Sequence, residues 1–251
     1  MSVGRHNRIV LIAIGAFLNA IGILLGAIFG LARREPLSLK TQLLCRNGIG
    51  ALTFFFGVRL IYLSLRGTFL SCLKQLFVAF LAVIIGFWVG KILRLQKMSN
   101  YLGRTSGSVI INAQKNPPQN SADGFNACAI LFCAAPLGLI GAVTDGLSDY
   151  FYLLAVKAVM DALAMSGFIK IFRWSAALSA IPVFVFLSVI SLTVQLYARP
   201  HLSAQGLDAV NAAAGLLACI VTIVVFEVRK VELANYLPAL AIAPLLTKLF
   251  N

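Results

Sequence analysis

Charge is scarce in this chain. Charged residues make up 12% of its 251 residues, and the hydrophobic set makes up 60%. The charged share is about half that of an ordinary soluble domain. Too few polar side chains exist to cover a water-facing surface, which excludes a soluble globular protein. The same hydrophobicity excludes a disordered chain. Histidine occurs only as His6 and His201, both in polar stretches, so a His-based metal site or a serine–histidine nucleophile inside a membrane is excluded. The five cysteines, Cys45, Cys72, Cys128, Cys133 and Cys219, lie in or beside apolar runs and never form C-x-x-C. Neither a disulfide framework nor a zinc site is expected from them. Also missing are G-x-x-x-x-G-K-[ST], H-E-x-x-H and G-x-S-x-G, so a self-contained ATP-driven pump and the common hydrolase centres drop out. The expectation is a non-enzymatic protein with no metal and no cofactor.

What is present is a series of long apolar runs. About 20 mostly apolar residues carry a helix across the hydrocarbon core, and eight stretches qualify: 9–31, 48–65, 73–93, 125–144, 150–169, 175–198, 209–227 and 234–250. The last is short, carries Pro238 and Pro244, and is either a span or a re-entrant segment. The fold class is therefore all-α, a polytopic transmembrane helix bundle of seven or eight spans. The first run is too long for a signal-peptide core and no A-x-A site follows it, so it reads as a mature helix.

The formal net charge is +13, from 21 Lys and Arg against eight Asp and Glu. The basic residues sit between apolar runs, as topology anchors do, so no nucleic-acid partner is expected and the lipid bilayer is the partner. Thirteen Lys and Arg fall on one side and six on the other, with Arg59 and Lys157 left inside spans. The richer side is predicted to be cytoplasmic, which places both termini outside. Between the third and fourth spans lies a polar stretch, 94–124, with Pro117-Pro118 and many Ser, Asn and Gln. It reads as a flexible cytoplasmic linker between a first half, 1–93, and a second half, 125–251, of a single membrane domain.

Two patterns concern packing. Gly22, Gly26 and Gly30 recur at every fourth residue on one face of the first span. Small residues there let another backbone approach, within the chain or in a homo-oligomer. An inverted repeat is also expected from weak likenesses. Asn47 with Gly50-Ala51-Leu52 resembles Asn211 with Gly215-Leu216-Leu217, and 79–86 resembles 239–246. Transporters are often built from such halves. In the fourth span, Pro136 followed by Gly138 and Gly141 marks either a proline kink or a broken helix.

The polar groups inside the spans carry the functional signal. Lys157 and Asp161 lie four apart within the fifth span, on one helix face and within reach of an ion pair. Each such charge costs about 2.5–3.5 kcal/mol at a helix centre, so the face cannot look at lipid. The pair is either an ion or substrate relay or a neutralised packing pin. Asp145 and Asp149 flank the turn before it, and Asn19 lies deep in the first span. Asn19, Asp145, Asp149, Lys157 and Asp161 are the candidate substrate or ion pathway. Asp145 and Asp149 at this spacing also admit a divalent cation, although solvation at a helix end explains them better.

Three segments resemble a bacterial inner-membrane family known as domain of unknown function 554, the YdfK/YqgA-like proteins. They are GAFLNAIGILLGAIFG at 15–30, the run from 130–147 through AVKAVMD at 155–161, and NYLPALAIAPLL at 235–246. The resemblance implies a seven- or eight-span protein of the bacterial inner membrane. It aligns Asn19, Lys157, Asp161 and Asn235–Ala239 with recurring family positions. No activity comes with it. The function expected is secondary transport of a small solute or ion, with a non-catalytic scaffold or regulatory membrane protein as the alternative.

Overall fold

The computed structural model describes residues 14–33, 35, 37–115 and 121–250. Arg5, His6, Arg8, Arg34 and Pro117-Pro118 lie outside them. The described chain is helical, with no strand among the described residues: α1 (Ile14–Ala32), α2 (Leu39–Ser64), α3 (Phe69–Ile92), α4 (Leu95–Lys115), α5 (Ser121–Cys133), α6 (Pro136–Ser148), α7 (Tyr152–Phe172), α8 (Trp174–His201), α9 (Ala204–Val225) and α10 (Leu233–Phe250). Seven of these, α1–α3 and α7–α10, are long and apolar enough to cross a membrane, and α5 with α6 is apolar enough as a pair bent by 59°. Phe17, Leu25, Phe54, Phe80 and Trp88 are each more than half exposed. So many large apolar side chains facing outward define a lipid-facing belt. The most enclosed of these seven is α9, with 67% of its apolar window buried.

Backbone approaches at glycine fix the relative directions of the helices. A Cβ at Gly22 would stand 2.6 Å from the Ala158 carbonyl oxygen, and Gly26 and Gly30 abut Ala162 and Ser166 in turn. Both numbers rise together, so α1 and α7 are parallel. Gly57 meets Gly215, and Gly50 meets Phe226, so α2 and α9 are antiparallel; Gly86 meets Ala239, and Gly90 meets Asn235, so α3 and α10 are too. With α1, α2 and α3 alternating, α7 can run parallel to α1 only if the bent α5–α6 pair crosses once between them. The count is then eight, and residues 14 and 250 lie on one face, here called the entry face. Periplasmic alkaline phosphatase fused after Asn251 is expected to be active, and a cytoplasmic reporter at the same place dark. The reverse result would overturn the orientation expected from the Lys and Arg count.

Two expectations need correction. Within 94–124, expected to be a flexible linker, 95–115 form the helix α4 and 121–124 open α5. The inward positions of α4, Leu95, Ser99, Leu102, Ser106, Val109, Ile110 and Ala113, recur at helical spacing, and Val109, Ile110 and Ala113 pack on the core that contains Cys128, Phe132 and Phe172. The second span also begins earlier than expected, at Leu39, capped by Ser38, whose hydroxyl accepts from the Thr41 amide at 3.2 Å. Its first turns carry Lys40, Gln42 and Arg46, which hydropathy alone cannot recognise as helix. The residues aligned in the repeat do not share surroundings: Asn47 is exposed while Asn211 is buried, and Gly50 faces a phenyl ring while Gly215 faces backbone.

Candidate functional site

The site lies where α1, α7 and the break between α5 and α6 meet. The break follows from Pro136, which occupies the first turn of α6, while Ala135 before it is extended (φ −67°, ψ 120°). A proline at that position has no amide to donate and disfavours a helical residue before it. The structure therefore has a broken helix here, not a simple kink. Gly138, two residues on, leaves room for the Lys157 stem: a Cβ there would stand 2.7 Å from Lys157 Cε. Lys157 so passes across the start of α6 and rests its ammonium 5.8 Å from the centre of the Phe132 ring.

Lys157 Nζ donates to Asp161 Oδ2. Asn19 Nδ2, from α1, donates to the same oxygen at 2.9 Å. All three residues are buried, Lys157 to 1% exposure and Asn19 to 0%. Asn19 Oδ1 has no hydrogen-bond partner. Such an orphan in a closed site costs roughly 1–3 kcal/mol.

The other candidates lie toward the entry face. Asp145 is 1% exposed, and its Oδ2 accepts from the Ser191 hydroxyl at 3.3 Å and stands beside the Gly15 backbone. Gly15 and Asn19 are one turn apart on α1, about 6 Å, so Asp145 sits one turn closer to the entry face than Asp161. Asp149 turns away from Asp145 and meets Arg199 at 3.4 Å; it caps α6 in the left-handed region at φ 56°. The two carboxylates engage different partners, and no divalent-cation pair is formed. Among the described residues no group of three His, Cys, Asp or Glu is arranged to hold a metal. Sequence reasoning missed Ser191, which carries no local signal. It also missed Asp208, buried at the start of α9 and 3.6 Å from Arg66.

Other polar residues serve the frame. Asn235 Oδ1 accepts from the Gln96 amide at 3.0 Å, and the Gln96 side chain accepts from the Ala234 amide at 3.1 Å. The Asn235–Ala239 stretch therefore clips the start of α4 to α10, while Asn235 and Ala239 meet Gly90 and Gly86. Arg59 lies over Tyr152, 4.6 Å from its ring centre. Burial pushes the Tyr150 phenol up to about 12, so it stays a neutral donor to the Phe56 carbonyl at 2.8 Å. Glu227 pairs with Arg46 at 2.5 Å.

Toward the opposite face a cavity of about 360 Å³ opens between the ends of α1, α7 and α9 and the start of α2, and its wall includes Met160, the neighbour of Asp161. The buried centre thus has carboxylates on one side and an open cavity on the other.

These features define a polytopic α-helical membrane protein with an ionic centre closed inside the bundle. The chain belongs to the family described as "Protein of unknown function (DUF554)", which matches residues 14–248. It is 25% identical over 236 residues to "Uncharacterized protein YqgA" of Escherichia coli, covering 92% of this chain and 94% of that one. It is 25% identical over 234 residues to "Uncharacterized membrane protein YdfK" of Bacillus subtilis, covering 92% and 93%. No solved structure matches the chain.

Proposed function

We propose that this protein is a secondary transporter of a small solute or ion in the bacterial inner membrane, with both termini in the periplasm. Lys157, Asp161 and Asn19 form its occluded centre. The observation that carries the reading is the buried cluster at a helix break, with Asp145 and Ser191 toward one face and a cavity toward the other. Ionisable groups inside a membrane are retained where a path needs them, and broken helices lie at the binding sites of transporters. In this scheme Asp161 takes the cation or the positive group of the solute when Lys157 moves aside, Asn19 holds the carboxylate in place, and Asp145 relays toward the entry face.

A scaffold or regulatory role is the second reading, favoured by the internal neutralisation of Asp161 by Lys157. A thermal-shift screen of the purified protein against metabolites and ions, run beside Asp161→Asn, separates the two. A ligand at 100 times its dissociation constant should stabilise the native protein by about 2.7 kcal/mol and leave Asp161→Asn unmoved. No ligand shift, together with a variant far less stable than the native protein, would mean that the pair holds helices together and that transport is the wrong reading.

A further inference from the structure

We propose that Asp145 carries a proton at neutral pH and that this proton is the coupling ion of the protein. The first part concerns binding alone, and the second rests on the transport reading above. Three carboxylates are buried among the described residues: Asp145 at 1% exposure, Asp161 at 5% and Asp208 at 9%. Lys157 neutralises Asp161, and Arg66 faces Asp208. Asp145 alone of the three has no cation within ion-pair reach among the described residues. Its side-chain partner is the neutral Ser191 hydroxyl. The charge that bears on it is a like one, Asp149, which turns to Arg199. A carboxylate taken out of water without a cation is heavily penalised, and such a group neutralises instead.

The surroundings favour a proton over a metal ion. Asp145 Oδ2 lies 3.0 Å from where a Cβ on Gly15 would stand, and Leu154 of α7 packs at the same point. Gly146 lies on the Ser191 carbonyl. The backbones of α1 and α8 and a leucine thus close around the carboxyl, while a hard cation needs about six oxygens around it. A proton needs no such shell, and a protonated carboxyl still accepts from Ser191. The other titratable groups nearby are engaged elsewhere. Among its described residues α1 has none. Tyr150 donates to the Phe56 carbonyl, Tyr152 lies against Arg59, and Tyr197 and His201 of α8 are exposed.

The coupling follows from the position of Lys157. Along α7, Leu154 packs beside Asp145 and Asp161 meets Asn19, and Lys157 lies between them in the chain. When Asp145 gives its proton to water, the O–H bond breaks, the electron pair stays on the carboxylate, and Lys157 is the cation at hand. Its turn to Asp145 leaves Asp161 open to the positive group of a solute. Return of the proton sends Lys157 back to Asp161. Proton and solute then bind in turn, which makes the process an exchange of a proton for a cationic solute.

Infrared spectra of the full-length protein in dodecyl maltoside, a detergent without a carbonyl group, test this. At neutral pH the native protein should show the carbonyl stretch of a protonated carboxyl, and Asp145→Asn should lack it. Asp145→Glu, which keeps the carboxyl, should move the band without removing it, and it replaces the first variant if that one fails to fold. In Lys157→Met/Asp161→Leu the band should survive to a pH higher by about one unit or more, a tenfold tighter hold, because no cation is left to take the proton's place. Identical native and Asp145→Asn spectra, or a band abolished when sodium chloride replaces potassium chloride, would overturn the proton site. A double variant that titrates with the native protein would overturn the exchange with Lys157. A solute screen without a hit would sink transport, and the coupling role with it, while leaving the band in place; a missing band would sink the proton whatever the screen finds.

Discussion

Asp161→Leu alone should destabilise the protein by about 3–5 kcal/mol, and Lys157→Met/Asp161→Leu should recover most of that loss. Lys157 is 1% exposed and its ammonium rests on Asp161. Removing the carboxylate leaves a cation desolvated and unpaired in a closed site. Removing both charges leaves two apolar side chains of similar length in an apolar bundle, which is often neutral or better. In a protein of this size the single variant corresponds to a drop of roughly 6–20 °C in unfolding midpoint, read in nanodiscs so that lipid contacts are kept. The double variant should return to within a few degrees of the native protein. The cycle gives the coupling of the two side chains directly. A single variant as stable as the native protein would mean that water or lipid headgroups already reach Lys157, contrary to the closed geometry. A stable double variant that no longer responds to a ligand would separate the function of the pair from its part in folding. A pair retained for stability alone would have no need of its charges.

Much of the fold was legible because it depends on composition along one segment at a time. Eight apolar runs correspond to seven membrane-length helices and the bent α5–α6 pair, and the Lys157–Asp161 contact follows from an interval of four residues on one helix. Legibility fails where partners come from afar. Asn19 could be recognised as a polar group needing a partner, but that the partner is Asp161, 142 residues later, required the packing of α1 on α7. Ser191 looked like one of many serines in an apolar run until α6 and α8 placed it against Asp145. The 94–124 stretch misled for another reason. Its Ser, Asn and Gln content reads as loop, while the face that matters, Leu102, Ser106, Val109, Ile110 and Ala113, mixes apolar with small polar residues and shows its helical spacing only once it has a surface to lie on. The Asn235–Ala239 stretch had a family likeness but no assigned role, and its hydrogen bonds make it a clip between α4 and α10. The glycines divide in the same way. Their spacing announced a close approach in α1, but whether that approach lay within the chain or between copies was decided only by Ala158, Ala162 and Ser166.

That seam carries the other large expected effect. Gly26→Leu should abolish monodisperse protein, and Gly26→Ala should cost roughly 1–3 kcal/mol or more, the ordinary range for overpacking. A Cβ at Gly26 would fall on the carbonyl oxygen and Cα of Ala162. These are backbone atoms and cannot rotate away as a side-chain tip would. Relief would need α1 and α7 to separate, and Gly22 against Ala158 and Gly30 against Ser166 hold the same two helices one turn to either side. Gly48→Ala is the matched control. Gly48 lies in α2 with nothing within 4 Å of an added Cβ, so the same chemical change should leave stability unchanged or raise it by about 0.5–1 kcal/mol through helix propensity. Size-exclusion profiles and unfolding midpoints of the three variants provide the readout. Normal yield and a single symmetric peak for Gly26→Leu would show that α1 does not lie on α7 as described. The consequence reaches the site, because the glycine seam is what brings Asn19, one turn before Gly22, onto Asp161. A tolerated widening in Gly26→Ala should therefore lengthen the bond from Asn19 and weaken any ligand response that depends on Asp161, even though residue 26 touches neither group.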